Sequence, residues 1–302
     1  MSEFVVEYSE TNLARVAEIY DKNGFVLVEN VFMEQETEEM KREMDKIVDS
    51  LDLESHPKSI FSTEDQNKHA SDKFFLDSAG KISHFYEEGA LNKEGELIVA
   101  KDKALNKVGH ALHWLNSVYK KYSFHEKIKN LIKAVDYKYP KIVQSMYIFK
   151  QPKIGGSVTD HIDASFLRSE IPGAVVGVWI ALDEATQENG CLWFTPESHK
   201  TSDPNAYMFV RTNSEDPKDP LVKFLGEQPK YDQSKFVPVP VKKGSLVLIH
   251  CHVVHKSEPN TSDKSRHAYT FHVADGNADW KWDKNNWLQE SEDYSFPSLY
   301  DS

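Results

Sequence analysis

Cysteine is nearly absent from this sequence. Cys191 and Cys251 are the only two in 302 residues, and they form neither a metal-spaced pair nor the set of bridges that holds small secreted domains together. Long apolar runs are missing too: none approaches the roughly 20 residues that cross a bilayer, so no membrane partner is expected. Positive charge is in deficit, with 36 Lys and Arg against 48 Asp and Glu and a formal net charge of −12. That excess repels phosphate backbones and anionic lipid, which counts against nucleic-acid and membrane-surface partners. The opening MSEFVVEYSE lacks the basic stretch and apolar core of a secretion signal, and the closing SLYDS is not the Ser-Lys-Leu peroxisomal address. A cytoplasmic location is the expectation.

What is present is a globular composition, 39% hydrophobic and 12% aromatic, without internal repeats. NLARVAEIY reads as a helix ended at Lys22-Asn23-Gly24, and FVLVENVF as a strand. In EQETEEMKREMDKIVDSL, Met40, Met44, Ile47, Val48 and Leu51 fall at helical spacing, which marks an amphipathic helix with core-filling methionines. Residues 54–106 are polar and irregular, with strand signals only near Ile82 and Ile98; they read as a cover over a site. Helices are expected at 106–120 and 123–134, with His110 and His113 on the first in structural roles. From residue 140 onward, KIVQSMYIFKQP, AVVGVWIALDEAT, GCLWFTP, SLVLIHCHVVHKS and RHAYTFHV are short β-rich runs without helices between them, the pattern of an antiparallel sandwich or barrel. Residues 200–235 read as a long excursion between core strands. The expectation is one domain over 1–302: a helical layer and cover over about 1–135 and a β core over about 140–275.

TDHIDASFL, at 159–167, places His161 and Asp163 two residues apart. On a strand both side chains project from one face, as two ligands of one metal would. With 13 histidines in the chain, about one His-x-Asp arises by chance, so the pair carries weight only with further convergence. SLVLIHCHVVHKS supplies His255. If it folds back on RHAYTFHV through the turn residues of EPNTSDK, a hairpin centred near Asn260 and Thr261 sets His255 opposite Arg266, with Ser257 on the same face. His250 and His252 then face elsewhere. Two histidines and a carboxylate on one side of a metal are the ligand set of non-haem Fe(II) oxygenases, and the planar guanidinium of Arg266 suits a carboxylate held some distance away. Catalytic zinc also takes three protein ligands, but it leaves Arg266 without a task.

HID at 161–163, GVWIALDEATQENGCLWF at 177–194, PESH at 196–199 and VVHKSEPNTSDKSRHAYTFH at 253–272 resemble the phytanoyl-CoA hydroxylase family of Fe(II)/2-oxoglutarate dioxygenases. The resemblance runs from about Val16 to Leu299. It implies a mainly β fold with flanking helices around a double-stranded β-helix, the jelly-roll of cupin-like proteins. It implies iron on His161, Asp163 and His255, Arg266 on the far carboxylate of 2-oxoglutarate with Ser257 assisting, and Lys107, Met146 and Trp179 in the same cosubstrate pocket. Fe(II), 2-oxoglutarate and O2 would together hydroxylate a small-molecule or acyl-type substrate, releasing succinate and CO2.

Relatives that halogenate lack the metal-binding carboxylate, so Asp163 points to hydroxylation. The family's Pro-Gly-Ser-His reads Pro-Glu-Ser-His here, so the turn at Glu197 is expected to avoid any conformation reserved for glycine, with His199 structural. Two alternatives stand beside this reading. One is an acyl-CoA hydroxylase, for which the basic stretch KKYSFHEKIKNLIK at 120–133 is compatible. The other is a non-catalytic sensor of metal and 2-oxoglutarate on the same fold.

Overall fold

The computed structural model describes residues 2–52, 59–60, 73–212, 214, 216, 218–276 and 282–301. In chain order its strands are β1 (Val5–Glu7), β2 (Phe25–Glu29), β3 (Ile82–Tyr86), β4 (Leu105–His110), β5 (Pro140–Ile148), β6 (Val158–His161) and β7 (Val175–Ala181). They continue with β8 (Leu192–Phe194), β9 (Tyr207–Arg211), β10 (Val222–Gly226), β11 (Val237–Val239), β12 (Leu246–His250), β13 (His255–Ser257) and β14 (Ala268–Asp275). The α-helices are α1 (Leu13–Asn23), α2 (Glu34–Asp49), α3 (Lys73–Asp77), α4 (Leu112–Leu115), α5 (Ser117–Ser123) and α6 (Glu126–Ala134).

Eight strands form one sheet in the order β1-β2-β12-β7-β14-β5-β4-β3, and four form a second in the order β11-β8-β13-β6. The large sheet is antiparallel throughout except where β1 runs parallel to β2. The two sheets enclose a cavity between them, the jelly-roll arrangement. Strand β7, VVGVWIA, is buried on both faces, which is why it reads as an unbroken apolar run. Val176, Val178 and Ile180 pack outward against the helical layer, where Met40 and Met44 of α2 and Tyr119 and Tyr122 of α5 are fully buried. Gly177 and Trp179, on the opposite face, look into the cavity.

Several expectations need correction. LNKVGH is not helical: as β4 it pairs with β3 on one side and β5 on the other, and a helix begins only at Leu112. Its Leu105 and Val108, with Leu112 of the helix that follows, have helical spacing, and burial on both faces removes the alternation by which a strand is recognised. Ile98 lies outside any strand, with only an isolated bridge between Leu91 and Leu97 nearby. Of the expected cover, 54–58 and 61–72 lie outside the described residues, and much of the rest builds the sheet edge through β3 and β4. The excursion at 200–235 contains the hairpin of β9 and β10. SLVLIHCHVVHKS is two strands, since β12 belongs to the large sheet and β13 to the small one. β13 pairs with β6 and β8 and β14 with β5 and β7, so the hairpin expected between His255 and Arg266 does not form; the chain between them crosses from one sheet to the other.

Two neighbouring turns show opposite solutions to one backbone problem. Gly24 ends α1 in the left-handed region at φ 81°, its N–H donating to Tyr20 O at 2.7 Å. A Cβ there would meet His199 Nδ1 at 2.5 Å, so glycine is required. Glu197 also sits in the left-handed region, at φ 63° and ψ 0°, contrary to expectation. The hydrogen bond from its N–H to Asn23 O holds it there, at a conformational cost of about 1 kcal/mol. Glu197→Gly is expected to raise stability by about 0.5–1 kcal/mol in urea unfolding; a loss would show that the Glu197 side chain outweighs the strain.

Candidate active site

His161 ends β6 and His255 opens β13, and the two are direct antiparallel partners. Their rings stand with centroids 4.3 Å apart. Asp163 does not share the strand, as the i and i+2 argument expects. It opens the 3-10 turn Asp163–Ser165, which is tied down where Ala164 N–H donates to Cys251 O at 2.9 Å. The turn brings Asp163 Oδ1 to 3.7 Å from Nε2 of both His161 and His255.

The tautomers follow from the hydrogen bonds. His161 Nδ1 lies 2.7 Å from Thr159 O, and His255 Nδ1 lies 3.1 Å from Val253 O. Each Nδ1 therefore carries the hydrogen and donates it, leaving the Nε2 lone pair bare. Burial first, then the neighbouring His161, lowers the His255 pKa to about 4, so its ring is neutral at pH 7. Burial alone would raise the Asp163 pKa, but the imidazoles of His255 and His272 outweigh it and hold the carboxyl well below the usual range. Two lone pairs and a carboxylate oxygen thus converge within 4.8 Å of one another. Such a set repels itself without a cation, and it fits a divalent metal held by two imidazoles and one carboxylate.

Sequence reasoning missed His272. Its Nε2 lies 3.4 Å from Asp163 Oδ2, and its Nδ1 lies 3.1 Å from Gln144 Nε2. The carboxylate oxygen is an acceptor, so His272 Nε2 donates to it and Nδ1 accepts from the Gln144 amide. Gly177 of β7 backs this pair, in a place where a Cβ would make ordinary contact with Asp163 Oδ2 and His272 Nε2. Support of this kind orients a ligand and is typically worth 10–100-fold in metal affinity. His272→Ala is expected to lose roughly that much in a chelator competition titration; unchanged affinity would remove His272 from the site.

Arg266 is buried, and it reaches Ser257 by a different path from the one the hairpin argument supposed. Its Nη2 donates to Ser257 Oγ at 3.4 Å, while the Ser257 hydroxyl donates to Gly190 O at 3.1 Å. The guanidinium carbon lies 5.2 Å from the Trp179 ring centroid. Arg266 Nε and Nη1 have no hydrogen-bond partner among the described residues. Burial lowers its pKa to about 10, so it stays charged at neutral pH. The guanidinium lines the cavity with donors unused, which suits it to bind a carboxylate.

Lys107 projects from β4 with Nζ 3.8 Å from Met146 Sδ and 5.2 Å from the Phe85 ring centroid. Burial brings its pKa down to about 7. Because this lies below the unfolded-state value near 10.4, the unfolded chain binds more protons between the two, and stability rises with pH across that window. Below pH 7 the penalty is at its full size. Lys107→Met is expected to stabilise the cosubstrate-free chain by on the order of 2–5 kcal/mol at pH 7, with the gain fading towards pH 10. Denaturant unfolding at several pH values checks this, and a gain independent of pH would contradict it.

All eight residues singled out in the sequence line one cavity of about 520 Å³: His161, Asp163 and His255 beside Lys107, Met146, Trp179, Ser257 and Arg266. Phe75, Phe166, Phe209, Phe224 and Trp287 wall another part of it. Phe75 comes from the expected cover and Phe209 and Phe224 from the excursion. His113 is satisfied on both nitrogens, by Ser145 Oγ at 2.8 Å and the Tyr294 hydroxyl at 3.1 Å. His199 Nε2 lies 3.0 Å from Asp21 O. The basic stretch falls on α5 and α6, over the outer face of the large sheet, and none of its residues lines the cavity. Its Lys121 pairs with Glu39 at 2.8 Å and Lys129 with Glu126 at 3.2 Å. No described helix is long and apolar enough to cross a membrane.

The chain is 57% identical over 283 residues to the phytanoyl-CoA dioxygenase domain-containing protein 1 homolog of Caenorhabditis elegans, covering 94% of this chain and 98% of that one. It is 44% identical over 282 residues to phytanoyl-CoA dioxygenase domain-containing protein 1 of Danio rerio, covering 92% and 94%. Among solved structures, the epimerase SnoN in complex with Fe3+, alpha ketoglutarate and nogalamycin RO superposes with a TM-score of 0.59 at 16% identity. That match covers 89% of this chain and 85% of SnoN and shows the shared fold. Residues 20–268 match the family described as phytanoyl-CoA dioxygenase (PhyH), and with that span and those relatives the chain belongs to the PhyH family.

Proposed function

We propose that this chain is an Fe(II)- and 2-oxoglutarate-dependent dioxygenase, one unit over 1–302, that hydroxylates a small-molecule substrate. The observation that carries the reading is Arg266: a buried, charged guanidinium with two unused donors, facing the cavity that also holds the His161, Asp163 and His255 cluster. A metal alone, including the zinc of a hydrolase, gives that arginine no partner; a dicarboxylate lying between metal and guanidinium does.

In this reading His161, Asp163 and His255 hold Fe(II), leaving the remaining positions to cosubstrate and O2. Bound there, the metal with 2-oxoglutarate and O2 supplies the oxidising power that converts a C–H bond to C–OH with release of succinate and CO2. The protein's own part is placement. Arg266 fixes the far carboxylate of 2-oxoglutarate, Ser257 assists by accepting from Nη2 and so orienting the guanidinium, and Trp179 stacks under the guanidinium and confines it. Lys107 and Met146 complete the floor of the pocket. His272 and Gln144 hold Asp163 so that Oδ1 faces the histidines. The aromatic wall keeps water from the reacting centre.

The test is aerobic turnover of 2-oxoglutarate to succinate by Fe(II)-loaded protein without added substrate, compared with His161→Ala. Slow succinate formation by the wild type, abolished in the variant, is the expected result. Stoichiometric binding of Fe(II) and 2-oxoglutarate without succinate, under any substrate tried, would turn the reading to the sensor.

A further inference from the structure

An oxidising site that turns over without substrate must place its oxygen somewhere. In a walled cavity the bonds at hand are those of the bound substrate or, when none is present, those of the wall itself. Two properties decide which side chain of this chain stands in that place: contact with the histidines of the metal cluster, and access to the cavity.

Among the described residues two phenylalanine rings touch those histidines. Phe166 meets His161 edge to face, with centroids 5.9 Å apart and planes at 80°. Phe194 stacks on His255 at 5.7 Å and 25°. Both lie in the contact range of aromatic pairs, and access separates them. Phe194 is fully buried, stacked between His255 and Phe25, and the described residues that line the cavity do not include it. Phe166 is half-buried and does line the cavity. Its place is fixed by the turn that carries the carboxylate ligand, because Phe166 N–H donates to Asp163 O at 2.9 Å. The other rings of the wall stand farther back. Phe209 and Phe224 pack on Phe166 at 5.9 and 6.0 Å, and Phe75 lies beyond Phe209 at 6.1 Å. Leu167, Leu192 and Ile249 border the cavity but are themselves buried.

Resting on the dioxygenase reading of this cavity, we propose that Phe166 is a self-hydroxylation site: when 2-oxoglutarate and O2 react there without substrate, the Phe166 ring takes the oxygen. The balance is that of the main reaction with the ring in the substrate's place. One atom of O2 enters succinate as 2-oxoglutarate loses CO2 and gives up two electrons. The other atom forms a C–O bond at a ring carbon. The C–H bond of that carbon breaks, its two electrons complete the reduction of O2, and the hydrogen ends on the new hydroxyl. A substrate lying against the aromatic wall covers Phe166 and takes the oxygen instead, so the modification records turnover that found no substrate.

The test is peptide mass spectrometry of the full chain after incubation with Fe(II), 2-oxoglutarate and isotopically heavy O2, with no substrate added. The readout is a covalent mark on one residue, recorded beside succinate but separate from it. Phe166 is expected to gain the mass of one heavy oxygen atom, in a fraction of chains that grows with the succinate formed, while Phe194 gains none. The mark should be absent when 2-oxoglutarate is left out and absent in Asp163→Ala. The first of these controls decides the matter even if the variant fails to fold. Succinate formed with Phe166 unmarked, or the oxygen found on another residue of the cavity instead, would overturn the proposal and leave the dioxygenase reading standing. Equal marking of Phe166 without 2-oxoglutarate would also overturn it, as oxidation from solution. Neither succinate nor mark would overturn the reading and the proposal together.

Discussion

Arg266→Met is expected to weaken 2-oxoglutarate binding by at least about 100-fold and, in the same protein, to raise the melting temperature of the ligand-free chain. The first effect follows from the loss of two charge-assisted hydrogen bonds to a buried carboxylate, an interaction whose truncation typically costs 2–5 kcal/mol. The second follows from the state of the arginine before ligand arrives. Its guanidinium is buried, its Nε and Nη1 have no partner among the described residues, and it lies close enough to help depress the pKa of buried Lys150. Replacing an uncompensated buried charge with an apolar side chain of similar length is worth roughly 1–4 kcal/mol to the fold. Calorimetric titration of 2-oxoglutarate in the presence of Mn(II), alongside thermal unfolding of the ligand-free chain, reads both. Weakened binding with lowered stability would show that Arg266 is a structural residue with partners of its own.

Asp163→Ala is expected to lower Fe(II) affinity by at least about 100-fold and to abolish succinate formation. Asp163 supplies the only carboxylate of the cluster, and the charge it brings is what offsets the cation in a buried site. The two imidazoles remain paired through His161 and His255, so the fold of the small sheet is retained and the loss falls on the metal. Asp163→Asn keeps the shape but not the charge, and should bind metal more weakly than the wild type. Anaerobic competition with a chromophoric chelator measures all three. Wild-type affinity in Asp163→Ala would mean that another group holds the metal.

The sequence was most legible where one residue type can do one job. His161, Asp163, His255 and Arg266 stand out in the sequence because metal ligation and carboxylate binding restrict the choice of side chain, and HID, Ser257 and Arg266 sit in motifs that survive any error about strands. The geometric route was poorer than its result. The supposed hairpin between His255 and Arg266 does not exist, yet Arg266 Nη2 reaches Ser257 Oγ across the two sheets. Asp163 reaches the histidines through a turn, not along a strand. Local sequence does not say when a chain changes sheets, as it does between β12 and β13 and again before β14.

His272 was missed although a signal existed. Residues 266, 268, 270 and 272 share one face of an extended chain, so a histidine six residues after the arginine belonged to the same cavity. β4 was missed because a strand buried on both faces loses its alternation, and Leu105, Val108 and Leu112 imitate a helix. The aromatic wall could not be assembled from sequence at all. Phe75, Phe166, Phe209 and Trp287 lie far apart along the chain, and only the packing of α3, the β9–β10 hairpin and residues 282–288 against the sheets joins them.

The central claim is that one cavity holds Fe(II) on His161, Asp163 and His255 and 2-oxoglutarate between that metal and Arg266. An anaerobic titration of Fe(II)-loaded protein with 2-oxoglutarate, followed by visible absorption, tests it most directly, because a 2-oxo acid chelated to Fe(II) gives a charge-transfer band. The band is predicted to saturate at one equivalent per chain in the wild type, to need far more 2-oxoglutarate in Arg266→Met, and to be absent in Asp163→Ala. Wild-type protein that binds Fe(II) but develops no band at any 2-oxoglutarate concentration would contradict the account.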